Sequence, residues 1–60
     1  MKQWLVEMLG NKYYYTEPRI RYIIVTAADS EKALIHAGAK LWNVYREYCV
    51  KTLSVTEYTF

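Results

Sequence analysis

Almost everything that staples or arms a small protein is scarce in this sequence. One cysteine, Cys49, and one histidine, His36, stand among 60 residues. That excludes a disulfide within the chain and leaves no ligand set for zinc. Such sparing use of cysteine points to a reducing, intracellular setting. The only glycines are Gly10 and Gly38, so no glycine-rich loop can cradle a phosphate. No apolar run approaches the roughly 20 residues that span a bilayer. The Met1 to Gly10 segment also lacks the charged, apolar and small-residue succession of a signal peptide. The expectation is a soluble, cytoplasmic chain without a membrane partner.

Catalytic groupings are missing as well. His36 falls on the polar side of the predicted helix beside Lys40 and Asn43, where a solvated imidazole is expected rather than a general base. No serine, cysteine or carboxylate has a claim to be held near it. Cys49, with Arg46 and Lys51 as its nearest cations in sequence, reads as a small buried hydrophobe rather than a nucleophile. The sequence therefore predicts no enzyme, no cofactor and no metal.

What is present is apolar and aromatic. A hydrophobic fraction of 53% with 17% aromatics predicts a folded chain, here a single domain over residues 1–60. A chain this short buries only about 60% of the surface its unfolded form exposes, so a second copy or a partner would add needed stability. The formal net charge is +2, and its placement is uneven. Lys12, Arg19 and Arg21 face one acid, Glu17, in the segment between residues 12 and 21, whereas cations and anions cancel elsewhere.

Periodicity gives strand, strand, helix, strand. Trp4, Val6 and Met8 alternate with Gln3, Leu5, Glu7 and Leu9, which predicts a strand with one apolar and one mixed face. Gly10-Asn11 is expected to form the turn, since both residues tolerate positive φ. Tyr13-Tyr14-Tyr15 has strand propensity without alternation. Pro18 confines its strand to an edge or to a start. From Arg19 to Thr26, Ile20, Tyr22 and Ile24 share one face, and Arg19, Arg21, Ile23 and Val25 the other.

Asp29 or Ser30 is suited to cap a helix, with Glu31 near its positive end. At 100° per residue Leu34, Gly38, Leu41, Tyr45 and Tyr48 fall together, flanked by Ala33, Ala37 and Val44 and by Ile35 and Trp42. Lys32, His36, Lys40, Asn43 and Glu47 form the polar stripe. Gly38 inside the helix suggests a close backbone approach. The apolar arc is wider than one sheet needs, which makes Ile35 and Trp42 candidates for an interface in a homodimer. Val50 to Phe60 reads as a third strand, with Leu53 and Val55 facing away from Thr52, Ser54 and Thr56. Handedness of the crossover then places the first strand in the middle. The expected architecture is α+β, β-β-α-β, a three-stranded antiparallel-type sheet of order 2-1-3 with one helix packed on one face.

The junction from Val25 through Ala27, Asp29, Glu31, Ala33 and Leu34 to Ala37 resembles that of small phage and prophage proteins of strand-strand-helix-strand build, among them the short T7 inhibitor of bacterial RNA polymerase. It covers about 13 of the 60 residues, at positions that capping and helix packing favour anyway. The hairpin is longer here, and Thr52 to Phe60 stands where the inhibitor has an arginine-bearing end, so no functional residue carries over. The resemblance implies a phage-type protein, working in the host cytoplasm by binding a host protein.

The residues themselves point to a partner surface made of Tyr13, Tyr14, Tyr15, Arg19, Arg21 and Tyr22. Tyrosine and arginine are enriched where proteins touch partners. Two occupants fit: an acidic patch on a protein, or nucleic acid stacking on the rings. A third reading has the tyrosines merely shielding the sheet or pairing across the hairpin with Trp4 and Val6. The local excess of two charges is modest for a nucleic-acid surface. A non-catalytic protein-binding module is therefore expected, with a small nucleic-acid-binding protein as the alternative.

Overall fold

The computed structural model describes residues 1–12 and 17–58. Its elements run β1 (Lys2–Asn11), β2 (Arg19–Ala27), α1 (Ser30–Lys40) and β3 (Tyr48–Tyr58), with Leu41–Tyr45 forming a π-helical turn after α1. β1 is central and antiparallel to both neighbours, giving the order β2-β1-β3. The expected α+β architecture is observed: an open antiparallel sheet with a single helix. No helix among the described residues is long and apolar enough to cross a membrane.

The alternation of β1 decides which face is covered. Val6 and Met8 lie opposite Ile23 and Arg21 of β2 and pack under α1. Together with Val25, Ala27, Ala33, Ala37 and Leu41 they form the buried core, with Trp4, Leu34 and Val55 packed at its margin. Ala33 and Ala37 are the buried residues of the helix, and their small size lets the two layers approach closely. Trp4 Nε1 donates to the Ala27 carbonyl at 3.1 Å, which ties the indole to the end of β2. Asp29, in extended conformation, accepts from the Lys32 amide at 2.9 Å and caps the helix.

The helix is shorter than its hydrophobic spacing predicts. Regular α-helix stops at Lys40, and Arg46 adopts a left-handed conformation with φ 58° while its amide donates to Trp42 O at 2.9 Å. Trp42, Asn43, Val44 and Tyr45 are all weak helix formers. Tyr45 and Tyr48, expected on the core side, are exposed, and Tyr48 opens β3 rather than closing the helix.

Three other expectations are corrected. Gly10 lies inside β1 rather than in a turn, and no described glycine has positive φ. A β-carbon on Gly38 would meet nothing within 4 Å, so no close backbone approach explains that glycine. Cys49 is an exposed free thiol, because it pairs with Gly10 at the end of the sheet that α1 does not reach.

β3 carries register irregularities between Glu7/Met8 and Leu9/Gly10. These leave Leu53 and Val50 outside the one-to-one pairing, so the simple alternation predicted for residues 50–60 does not hold. On β2, Lys40 Nζ donates to Ile24 O at 3.1 Å and His36 Nδ1 lies 3.2 Å from Thr26 O. The exposed imidazole is thus engaged with an edge carbonyl rather than simply solvated.

Candidate binding site

Arg21 continues the row that Ile23 and Val25 begin, so the pleat points it toward the helix side of the sheet. A cation on that face requires an anion, and the chain supplies one by ending its helix early. Beyond the left-handed Arg46, Glu47 is buried, with 7% of its surface exposed. Arg21 Nε donates to Glu47 Oε1 at 2.9 Å and Nη2 to Oε2 at 2.8 Å. This two-pronged geometry is the strong form of an arginine-carboxylate pair. The Tyr45 ring covers the guanidinium, with its centroid 4.1 Å from Cζ.

The electrostatics follow from this geometry. The hydrogen bonds from Arg21 hold the Glu47 carboxyl below its ordinary value of 4.5; burial opposes this, and the positive fields of Arg21, Arg19 and Lys12 reinforce it. The same pairing raises Arg21 further. Glu47 is therefore held as an anion and suited to fixing charge rather than to exchanging protons.

Gly10 completes the arrangement. A β-carbon there would collide with Glu47 Oε1 and come within 3.3 Å of Leu41 Cδ1 and 3.4 Å of Arg21 Cγ. The glycine is needed for the space the carboxylate occupies.

These residues form the floor and one wall of an open cleft of about 690 Å³. Pro18 and Tyr45 give it apolar surface, while Lys12, Arg19 and Glu17 stand at its rim. Three cations face two carboxylates, leaving one positive charge in excess. No group of three or more His, Cys, Asp or Glu suited to a metal occurs among the described residues.

The predicted partner surface is divided. Arg19 and Arg21 share the cleft. Tyr22 lies on the opposite, uncovered face of the sheet, exposed with Ile20 and Ile24. Tyr13, Tyr14 and Tyr15 lie outside the described residues. Ile35 is exposed on α1, and Trp42 is partly covered by Tyr48, their ring centroids 5.2 Å apart, with Arg46 Cζ 5.8 Å from the indole. Sequence reasoning missed Gly10, Tyr45 and Glu47 as members of one site. The available signal was Arg21 itself, a cation in an otherwise apolar row, which demands a buried acid.

The fold and site define a small open-sheet α+β domain with a charged cleft at one end of its covered face. No family model, curated protein or solved structure matches the chain.

Proposed function

We propose that the chain is a non-catalytic protein-binding module that docks on a host protein bearing an acidic patch, in the manner of the phage inhibitors whose strand-to-helix junction it resembles. One observation supports this reading above the others. At the Arg19 end of β2, positive charge without a hydrogen-bond partner among the described residues and exposed apolar surface occur on the same strand: Lys12 and Arg19 stand at the cleft rim, while Ile20 and Tyr22 lie bare on the other face of the sheet. Arginine and tyrosine with aliphatic neighbours form the composition that dominates protein contacts, and the charge complements an acidic partner. A nucleic-acid surface would call for a larger basic field than one charge in excess.

Affinity capture from a bacterial lysate, comparing wild type with Arg19→Ala and with Tyr22→Ala, tests the reading. Specific retention of one protein, reduced by either substitution and eluted by salt, supports it. Equal retention by both variants means the surface is misplaced. Micromolar binding to oligonucleotides that weakens steeply with salt would replace the reading with nucleic-acid binding.

A further inference from the structure

The cleft contains more positive charge than its own carboxylates use. Arg21 commits Nε and Nη2 to Glu47, and no hydrogen bond is made by its Nη1 among the described residues. Lys12 and Arg19 likewise make no hydrogen bond among the described residues, and both are exposed. Both line the same cleft as the Arg21–Glu47 pair, and their positive fields are felt at Glu47. Glu47 takes its hydrogen bonds from Arg21, one on each oxygen, and among the described residues neither Lys12 nor Arg19 bonds to it.

We propose that this cleft is a receptor for a single carboxylate presented by a peptide segment of the partner, held between Arg19 and Lys12 over the Arg21–Glu47 pair. The inference rests on the protein-binding reading above and adds the chemical group that is recognised. Three features select a carboxylate. An excess of one positive charge matches a monoanion rather than a phosphate dianion. Guanidinium forks fit the two oxygens of a carboxylate with parallel hydrogen bonds. Pro18 and Tyr45 give apolar surface against which the methylenes or backbone beside the carboxylate can pack. The Arg21–Glu47 pair has a separate role. It fixes the floor, and Gly10 leaves the room that makes that floor possible.

Two sources of the group fit, an internal Glu or Asp side chain and a chain-terminal carboxylate, and the experiment separates them. The ¹⁵N-labelled full chain is titrated with four probes while backbone and arginine Nε resonances are followed. The probes are a doubly blocked peptide with one internal glutamate, the same peptide with glutamine, an alanine peptide with a free C-terminus, and oligothymidylate. The expected result is saturable shifts at Gly10, Lys12, Arg19, Tyr45 and the Arg21 Nε with at least one carboxylate probe. The glutamine peptide should produce none. The carboxylate probe that binds more tightly identifies the source. Arg19→Ala and Lys12→Ala, both at exposed positions, should each weaken binding about tenfold with the rest of the spectrum unchanged.

Absence of cleft shifts with both carboxylate probes overturns the proposal, and so does an equal response to the glutamine peptide. Tighter binding of oligothymidylate at the same residues replaces the carboxylate with a phosphodiester and also removes the protein-binding reading. If the cleft stays silent while Tyr22→Ala still abolishes capture of a specific protein, the carboxylate receptor fails and the protein-binding reading stands.

Discussion

The covered face of the sheet has two halves built on the same strands. Toward the start of β1 and the end of β2, Val6, Ile23, Val25 and Ala27 meet Ala33 and Ala37 in a dry, close-packed layer. Toward the other end, Gly10 and Arg21 meet Tyr45 and Glu47 across an open, ionic cleft. The two halves differ in what sits above them. Eleven residues of α1 cover the first, and the irregular segment from Leu41 to Glu47 borders the second. Ending the helix early thus makes a site as well as a terminus, because the last turn and the left-handed Arg46 deliver the Tyr45 ring and the Glu47 carboxylate to Arg21. Leu41 stands on the border, fully buried in the core and close to Gly10.

That division can be broken in graded ways. Leu41→Ala should do the most damage, costing about 2–5 kcal/mol because it empties a buried site shared by both halves; denaturant unfolding reads the loss directly. Gly10→Ala should cost about 1–3 kcal/mol by forcing its new methyl into the Glu47 carboxylate. The same substitution on a Glu47→Ala background should be neutral or slightly stabilising, since an alanine in a strand is easier to order than a glycine. A double-mutant cycle that finds no coupling between the two positions would show that the carboxylate does not require the glycine.

Acid should loosen the ionic half selectively. Because the folded state holds the Glu47 carboxyl below 4.5, its contribution is complete above that pH and is lost as the pH falls through the lower folded-state value. The midpoint of thermal unfolding should therefore drop in that range, and the drop should be shallower in Glu47→Gln. Equal slopes for the two proteins would mean that the pair adds no pH-dependent stability. The smallest expected effect is a gain: Gly38→Ala should add up to about 1 kcal/mol, since the new methyl enters open space and removes a flexible helix position. A loss instead would reveal a steric demand at that position.

The apolar half was legible in the sequence, and the ionic half was not, for a physical reason. Alternation in Trp4-Val6-Met8 and in Ile23-Val25 reports burial directly, and Asp29 announces the helix start. Strand order follows from connection rules alone. Past Lys40, however, helical spacing continues to look apolar through Tyr45 and Tyr48 although the backbone has left the helix. Periodicity registers side-chain type and is blind to a π-helical turn. The same blindness placed Glu47 on a solvated stripe, when its neighbours in space come from β1 and β2, 26 residues away in the case of Arg21. Gly10 was misread because glycine serves turns and close approaches alike, and only the partner atom tells them apart. Val50 and Leu53 hid the bulges of β3 because a residue added to a strand changes register without changing composition.

The two side chains that reach from α1 to the rim of β2 have a consequence for self-association. Ribbons that grow by strand pairing, the seed of most fibrous aggregates, need two available margins on every copy. On this molecule Lys40 and His36 already occupy the Ile24 and Thr26 carbonyls, so an incoming strand must first evict both. The guard is placed over the Ile24–Thr26 stretch of β2.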